Sequence, residues 1–458
     1  MTQPWHEMSA LALGEAIGEG AVDPVELAEH FLARIAEHDR AHAIYRIVTA
    51  ERARAEAYAA RERAKAGTRR SVLDGVPISW KDCYDTLGDA TAHGSPLLLD
   101  NVARRDAALV ERAGNAGLVC LGKTTCPDFC FAAIGINPHF GTPQNPFDRT
   151  TPRVPGGSSS GAAVSLAREL CAAAMGSDTG GSVRIPAAWN GLVGLKTTFG
   201  LLSTEGIAPL SPTLDTAGPL SHDVADANAL LAMLSAQKPA DLAEATLEGA
   251  RLAVAKTLVW DDIEPGIAEV LRTGLERLRQ AGALLVEDDV PEFGEAHALL
   301  QRHGPYHAAE AYALWGELIE REPSKVYRPI YERMRLGLTM RAIDVERERI
   351  GLAEIAKRLH ARMRPYDAVL LPTSPISPPP IAALEDGGPA YVEMNNRSLR
   401  NTRLGNFLFC CAITLPAGKE DHGLPVGLML MARPFQEGAL LRVAKAAEAA
   451  LGARPLRP

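Results

Sequence analysis

Arg251-Leu252-Ala253-Val254-Ala255, then the run from Gly266 to Ala281, then Ala283-Leu284-Leu285-Val286, decides the fold class. The two short apolar runs read as strands and the longer run between them as a helix, which together make one layered α/β unit. The alternation recurs upstream. Val76-Pro77-Ile78-Ser79-Trp80 reads as a strand, Ala107 to Ala113 as a helix and Leu118-Val119-Cys120-Leu121 as a buried strand. Gly191 to Lys196, Asp367 to Thr373 and Gly427 to Met431 add core strands, and Leu440 to Leu451 reads as a closing helix.

Before the first strand, Ser9 to Lys65 reads as helical. Asp23-Pro24-Val25-Glu26 is a helix start, with Asp as N-cap, Pro at the first position and an acid in the first turn. Leu27, Phe31 and Ile35 then recur at intervals of four as one apolar stripe. Ser159 to Met175, rich in Ala, Val and Leu, predicts one buried helix. Residues 292–363 are helical and more charged, as a peripheral insertion would be, and Pro375 to Pro380 is a stiff loop. The expected organisation is a helical segment, 1–70, packing on one core, 71–458, with the insertion at about 292–363.

The chain has 458 residues, 47% hydrophobic and 23% charged, a balance that suits a globular enzyme with a large core. A net charge of −8 argues against a nucleic-acid partner, since phosphate binding needs a basic face. No basic n-region with an apolar core opens the chain, and no apolar run approaches the roughly 20 residues of a membrane span. Seven cysteines, an odd number, suit reduced thiols better than a disulfide framework, and none falls in a four-ligand zinc pattern. The expectation is a cytoplasmic protein without metal or organic cofactor, acting as a monomer or homodimer on a small molecule.

Two glycine-rich segments carry the chemistry: Pro155-Gly156-Gly157-Ser158-Ser159-Ser160-Gly161 and Gly176-Ser177-Asp178-Thr179-Gly180-Gly181-Ser182. A serine hydroxyl is a weak nucleophile until a base takes its proton, and no histidine stands in a nucleophile-elbow context. Lys81, at the end of a strand, fits a base if burial keeps its amine neutral, although on spacing alone a surface ion pair with Asp82 is the plainer reading. Thr179-Gly180-Gly181-Ser182 can aim several backbone N–H groups at one point, either for an oxyanion or for a phosphate. Gly117 to Thr124 satisfies a phosphate-loop pattern, but its middle is apolar and reads as a strand, so nucleotide binding is not expected.

Together with Val183 to Ala188 and Gly191 to Lys196, these segments resemble the amidase signature family. The resemblance extends to Leu73–Asp82, Gly122-Lys123-Thr124, Gly141–Pro146, Asp215–Pro219 and Gly423–Leu428, and so covers nearly the whole chain. It implies an α/β/α sandwich around a large mixed twisted sheet covered by helices. It also implies a Ser-cisSer-Lys triad: nucleophile Ser182, bridging Ser158 after a cis peptide bond, and base Lys81. The oxyanion would be held by the backbone N–H groups of Thr179, Gly180, Gly181 and Ser182. The implied activity is hydrolysis of a carbon–nitrogen bond in a small amide, with carbamates and esters as further substrates, through an acyl-enzyme. Two alternatives stand beside it: the glutamine-hydrolysing component of an aminoacyl-tRNA amidotransferase, and a non-catalytic binding paralogue.

The sequence departs from the family at Ser160, where Gly is common, and at Thr197, where Pro is usual after the lysine, so that stretch is expected to be less rigid. Asp178 and Arg184 are expected to pair beneath the loop. By analogy, the pocket walls come from Phe129–Ile134, the helices of the 300s and Phe407–Ala412, whose tandem apolar residues point to an uncharged acyl group.

Overall fold

The computed structural model describes residues 3–452, 456 and 457. Eleven strands form one mixed sheet: β1 (Tyr45–Val48), β2 (Pro77–Lys81), β3 (Val119–Thr124), β4 (Ala173–Asp178), β5 (Val193–Lys196), β6 (Thr216–Ser221), β7 (Arg251–Ala255), β8 (Leu284–Asp288), β9 (Ala368–Pro372), β10 (Cys411–Lys419) and β11 (Pro425–Ala432). Their order across the sheet is β1-β3-β2-β4-β6-β5-β10-β11-β9-β7-β8. The β3-β2-β4 and β9-β7-β8 neighbours run parallel, and antiparallel pairs fill the centre.

Helices cover both faces, and the side-chain alternation of the strands shows it directly. Leu428 and Leu430 of β11, Ala368 and Leu370 of β9, and Leu252 and Val254 of β7 join one core. Their neighbours Met429 and Met431, Val369 and Leu371, and Ala253 and Ala255 join a second. Successive side chains of a strand point to opposite faces, so the two cores lie on opposite sides of the sheet. The helices Pro265–Gln280 and Glu437–Leu451 feed the first core through Leu271, Leu278, Leu440 and Leu441. The helices Pro291–His303, Ala342–Arg362 and Pro389–Phe407 feed the second through Phe293, Leu359 and Leu404. This is the α/β/α sandwich that the resemblance implied.

Asp23 caps its helix as expected, accepting from the Val25 amide, and Leu27, Phe31 and Ile35 are buried. The N-terminal part is not wholly helical, however. Between the helices Pro24–His38 and Ala50–Lys65 lies β1, an edge strand on β3. Its entry is fixed by Asp39, whose carboxylate accepts from the Ile44 and Tyr45 amides, a side-chain turn that periodicity does not register.

The expected helix over 159–175 also needs correction. The helix Ser160–Ala167 ends, the chain turns through a positive φ at Glu169, and Ala173–Asp178 is the central strand β4. Alanine and glycine are poor strand formers, but here the helix packs directly on the strand. A Cβ at Gly176 would stand 2.5 Å from Ser159 Oγ. Small residues are what this contact requires.

Candidate active site

The two glycine-rich segments and the end of β2 converge. Lys81 closes β2 with no exposed surface, and its Nζ donates to Ser158 Oγ at 2.7 Å and to Ser177 Oγ at 2.8 Å. The peptide bond between Gly157 and Ser158 is cis. The Ser159 amide donates to the Ser182 carbonyl at 3.1 Å, which ties the first serine loop to the second. No hydrogen bond joins the Ser158 and Ser182 hydroxyls among the described residues.

Lys81 is not paired with Asp82. That carboxylate is taken by Arg46 and by Lys123, the latter at 3.3 Å. Burial is the largest influence on the Lys81 pKa and lowers it, whereas thiolates at Cys130, Cys83 and Cys126 would carry it above the ordinary lysine value. Burial itself drives the Cys83 and Cys130 thiols well above their usual range, so at neutral pH they are uncharged. Without that anionic pull desolvation prevails, and it favours the neutral amine.

The second loop is braced from beneath. Asp178 and Arg184, both without exposed surface, pair at 2.9 Å. Burial alone would raise the Asp178 pKa, but the Arg184 charge and hydrogen bonds hold it well below the ordinary carboxylate value. Arg184 also donates to the Thr402 carbonyl and to Asn406 Oδ1, and the Thr402 hydroxyl donates to the Gly180 carbonyl at 2.8 Å. On the far side, Thr179 Oγ1 donates to Asp215 Oδ1 at 2.5 Å.

This bracing engages one of the four amides expected to hold an oxyanion. The Gly181 amide donates to Asp178 Oδ1 at 2.8 Å, so it is already engaged within the loop. The amides of Thr179, Gly180 and Ser182 have no intramolecular acceptor among the described residues. Gly181 holds the turn instead. Its φ is +137°, and a Cβ there would lie 2.1 Å from Thr402 Oγ1.

Ser182, Thr179 and Gly180 line a cleft. Its walls include Phe131, Ala133 and His307 from the expected regions, together with Phe407. Arg333 stands on one of the expected helices of the 300s, whereas Leu210, Leu399 and Arg403 lie outside the expected regions, and the two guanidinium groups add charge beside the tandem apolar residues. Ser177, the second anchor of Lys81, was also missed, although it stands in the second glycine-rich segment, five residues before Ser182.

The remaining expectations resolve simply. Gly117 to Thr124 runs into β3, where Lys123 is buried and donates to Thr91 Oγ1 and the Ala90 carbonyl; it is committed to the fold. Thr197 and Thr198 are buried and bonded, to the Ala217 carbonyl and from the Phe435 amide, so the stretch without proline is held by side chains. Ser160 Oγ donates to the Thr125 carbonyl. All seven cysteines are buried free thiols. No helix among the described residues is long and apolar enough to cross a membrane.

The amidase family model matches residues 26–441. The chain belongs to the amidase family. A 2-amino-5-chloromuconic acid deaminase of Comamonas testosteroni is 36% identical over 414 residues, covering 89% of this chain and 88% of that one. The glutamyl-tRNA(Gln) amidotransferase A chain of Anaeromyxobacter dehalogenans is 32% identical over the full length of both. A crystal structure of an amidase superposes with a TM-score of 0.87 at 28% identity, covering 96% of this chain and 99% of the other.

Proposed function

We propose that this amidase-family chain hydrolyses a carbon–nitrogen bond of a small amide, with carbamates and esters as secondary substrates, through an acyl-enzyme on Ser182. The observation that carries the reading is the Lys81 amine at 2.7 Å from Ser158 Oγ, with Ser182 tied to the same loop beside a cleft.

Neutral Lys81 takes the proton of Ser158, which takes the proton of Ser182 as Ser182 Oγ attacks the amide carbon. The oxyanion sits against the free amides of Thr179, Gly180 and Ser182. Removing one such donor typically costs ~2.7–4 kcal/mol of transition-state stabilisation. Ser158 then protonates the leaving nitrogen, Lys81 returns a proton to Ser158, and water hydrolyses the acyl-enzyme by the same relay. Ser177 keeps the lysine amine in place throughout. A relative named for the deamination of 2-amino-5-chloromuconic acid supports carbon–nitrogen cleavage as the reaction. Seven buried free thiols suit a reducing compartment, and we place the enzyme in the cytoplasm.

The deciding experiment is Ser182→Ala. It abolishes turnover of chromogenic amides and labelling by a fluorophosphonate; near-normal turnover in that variant ends the proposal. The full-length similarity to the amidotransferase chain supports a second reading, as the glutamine-hydrolysing component of a complex. Glutaminase activity that appears only with a partner protein would favour it.

A further inference from the structure

The Ser177 hydroxyl that anchors Lys81 stands in the middle of a longer row of polar groups. Cys83 follows Lys81 by two residues, and its Sγ lies 3.7 Å from Ser177 Oγ. Lys81 Nζ and Cys83 Sγ are the only side-chain partners of that hydroxyl among the described residues. Beyond Cys83 comes His93, 1% exposed, with its amide bonded to the Asp82 carbonyl and its ring against Phe129 and Trp315. Neither ring nitrogen of His93 makes a hydrogen bond of full geometry among the described residues. Burial holds the imidazole below its ordinary value, and of the side chains around it Cys83 acts on it most. The ring is therefore neutral and offers one nitrogen as an acceptor.

A neutral lysine amine has two N–H bonds and one lone pair, and the relay needs that lone pair to face Ser158 Oγ. Ser177 can spoil this. If its O–H turns onto Lys81 Nζ, the lone pair is spent on β4 and the amine can only donate to Ser158. If its O–H turns onto Cys83 Sγ, Ser177 Oγ accepts from Nζ and the lone pair is left for Ser158. Sulfur is a weak acceptor, so the second arrangement needs support. It gains support when the Cys83 thiol passes its own proton onward, because successive hydrogen bonds polarise one another. Two hydrogen-bonding groups stand beside that thiol: Cys130, another sulfur, and His93, an imidazole with an unpaired nitrogen. The imidazole is the stronger acceptor and takes the thiol proton.

We propose that Cys83 and His93 are positioning residues for Lys81: through Ser177 they fix the direction of a hydrogen-bond chain, from Lys81 to Ser177 to Cys83 to His93, that turns the lysine lone pair toward Ser158. Neither side chain is among those that line the cleft beside Ser182, so both act through the base and not on a substrate. Burial keeps Cys83 protonated, which leaves its proton available to His93. The catalytic role of the chain rests on the Ser182 relay; the contact between Cys83 and Ser177 does not.

The readout is the rate at which a fluorophosphonate labels Ser182, which needs an activated serine but no particular substrate. Cys83→Ala and His93→Phe are each expected to slow labelling by about 10-fold while melting is unchanged. Cys83→Ser, which restores a donor and an acceptor, is expected to recover most of the rate. The deciding comparison is made in Ser177→Ala, where the chain is already cut: there a further Cys83→Ala change should alter the rate by less than about 2-fold. A wild-type rate in Cys83→Ala overturns the proposal. So does an equal loss in both backgrounds, which would make Cys83 a packing residue. If His93→Phe does not fold, the two Cys83 variants and the Ser177→Ala background decide. Lys81→Met separates this chain from the relay it serves. Labelling as fast as the wild type in that variant refutes the relay, whereas slow labelling with an additive Cys83 effect refutes only the positioning chain.

Discussion

Lys81 Nζ is held by two hydroxyls from different elements, Ser158 Oγ at 2.7 Å and Ser177 Oγ at 2.8 Å. One belongs to the first serine loop and the other to the strand β4, so the amine proposed as the base is aligned by the sheet itself.

Removing the strand's hydroxyl separates alignment from chemistry. Ser177→Ala leaves the relay atoms intact but frees the lysine amine, and kcat should fall by roughly 10- to 100-fold, the scale of a misplaced catalytic group. KM should change little, and the rate of phosphonate labelling of Ser182 should fall together with kcat. A variant with unchanged kcat would show that β4 does not position the base.

Gly181→Ala tests the turn. Its backbone lies in the left-handed region and its Cβ would meet Thr402 Oγ1 at 2.1 Å. The loop must shift, and with it the free amides of Thr179, Gly180 and Ser182. A stability loss of about 1–3 kcal/mol in urea unfolding is expected, together with a fall in kcat larger than that of Ser177→Ala.

The pair beneath the loop should dominate stability. Arg184→Met leaves Asp178 charged, buried and half-partnered, and should cost about 3–5 kcal/mol by chemical denaturation. The acid dependence has a definite sign. The folded Asp178 pKa lies below its unfolded value, so its contribution is complete above an unfolded value near ~3.9. Below that the unfolded chain protonates first, and the contribution is lost as pH falls toward the folded value. The wild-type stability curve should drop there, and Arg184→Met should remove most of that slope.

Asp215 runs the other way. Burial raises its pKa to about 6 against the hydrogen bonds from Thr179, Ser211 and Leu210. Between its unfolded value near ~3.9 and about 6 the folded protein holds the extra proton, so stability falls as pH rises through that window, by up to ~3 kcal/mol. Unfolding free energies from pH 4 to 7 should show this component in the wild type and lack it in Asp215→Asn.

What the sequence made legible follows from signal type. β2, β3, β7, β9 and β11 announce themselves as short apolar runs, and Lys81, Ser158 and Ser182 stand in glycine-punctuated segments. β4 was hidden because close packing demanded Ala and Gly where strand propensity asks for branched residues. The helix Pro389–Phe407 was hidden because its buried half carries Thr402, Arg403 and Asn406, which serve the loop and the cleft, and Asn401, which donates to the Val259 and Pro372 carbonyls. Arg333 and Arg403 meet across 70 positions of chain, and no local pattern marks that encounter.

The alternation of β7, β9 and β11 into two separate cores has an evolutionary consequence. The helices that bring His307, Arg333 and Arg403 to the cleft all lie on the C-terminal half of the chain, and those that reach the sheet join the Met429 side. Leu428, Leu430 and their partners form an independent foundation on the other side. A substitution in the layer that lines the cleft can therefore be accepted without disturbing the packing under Lys81.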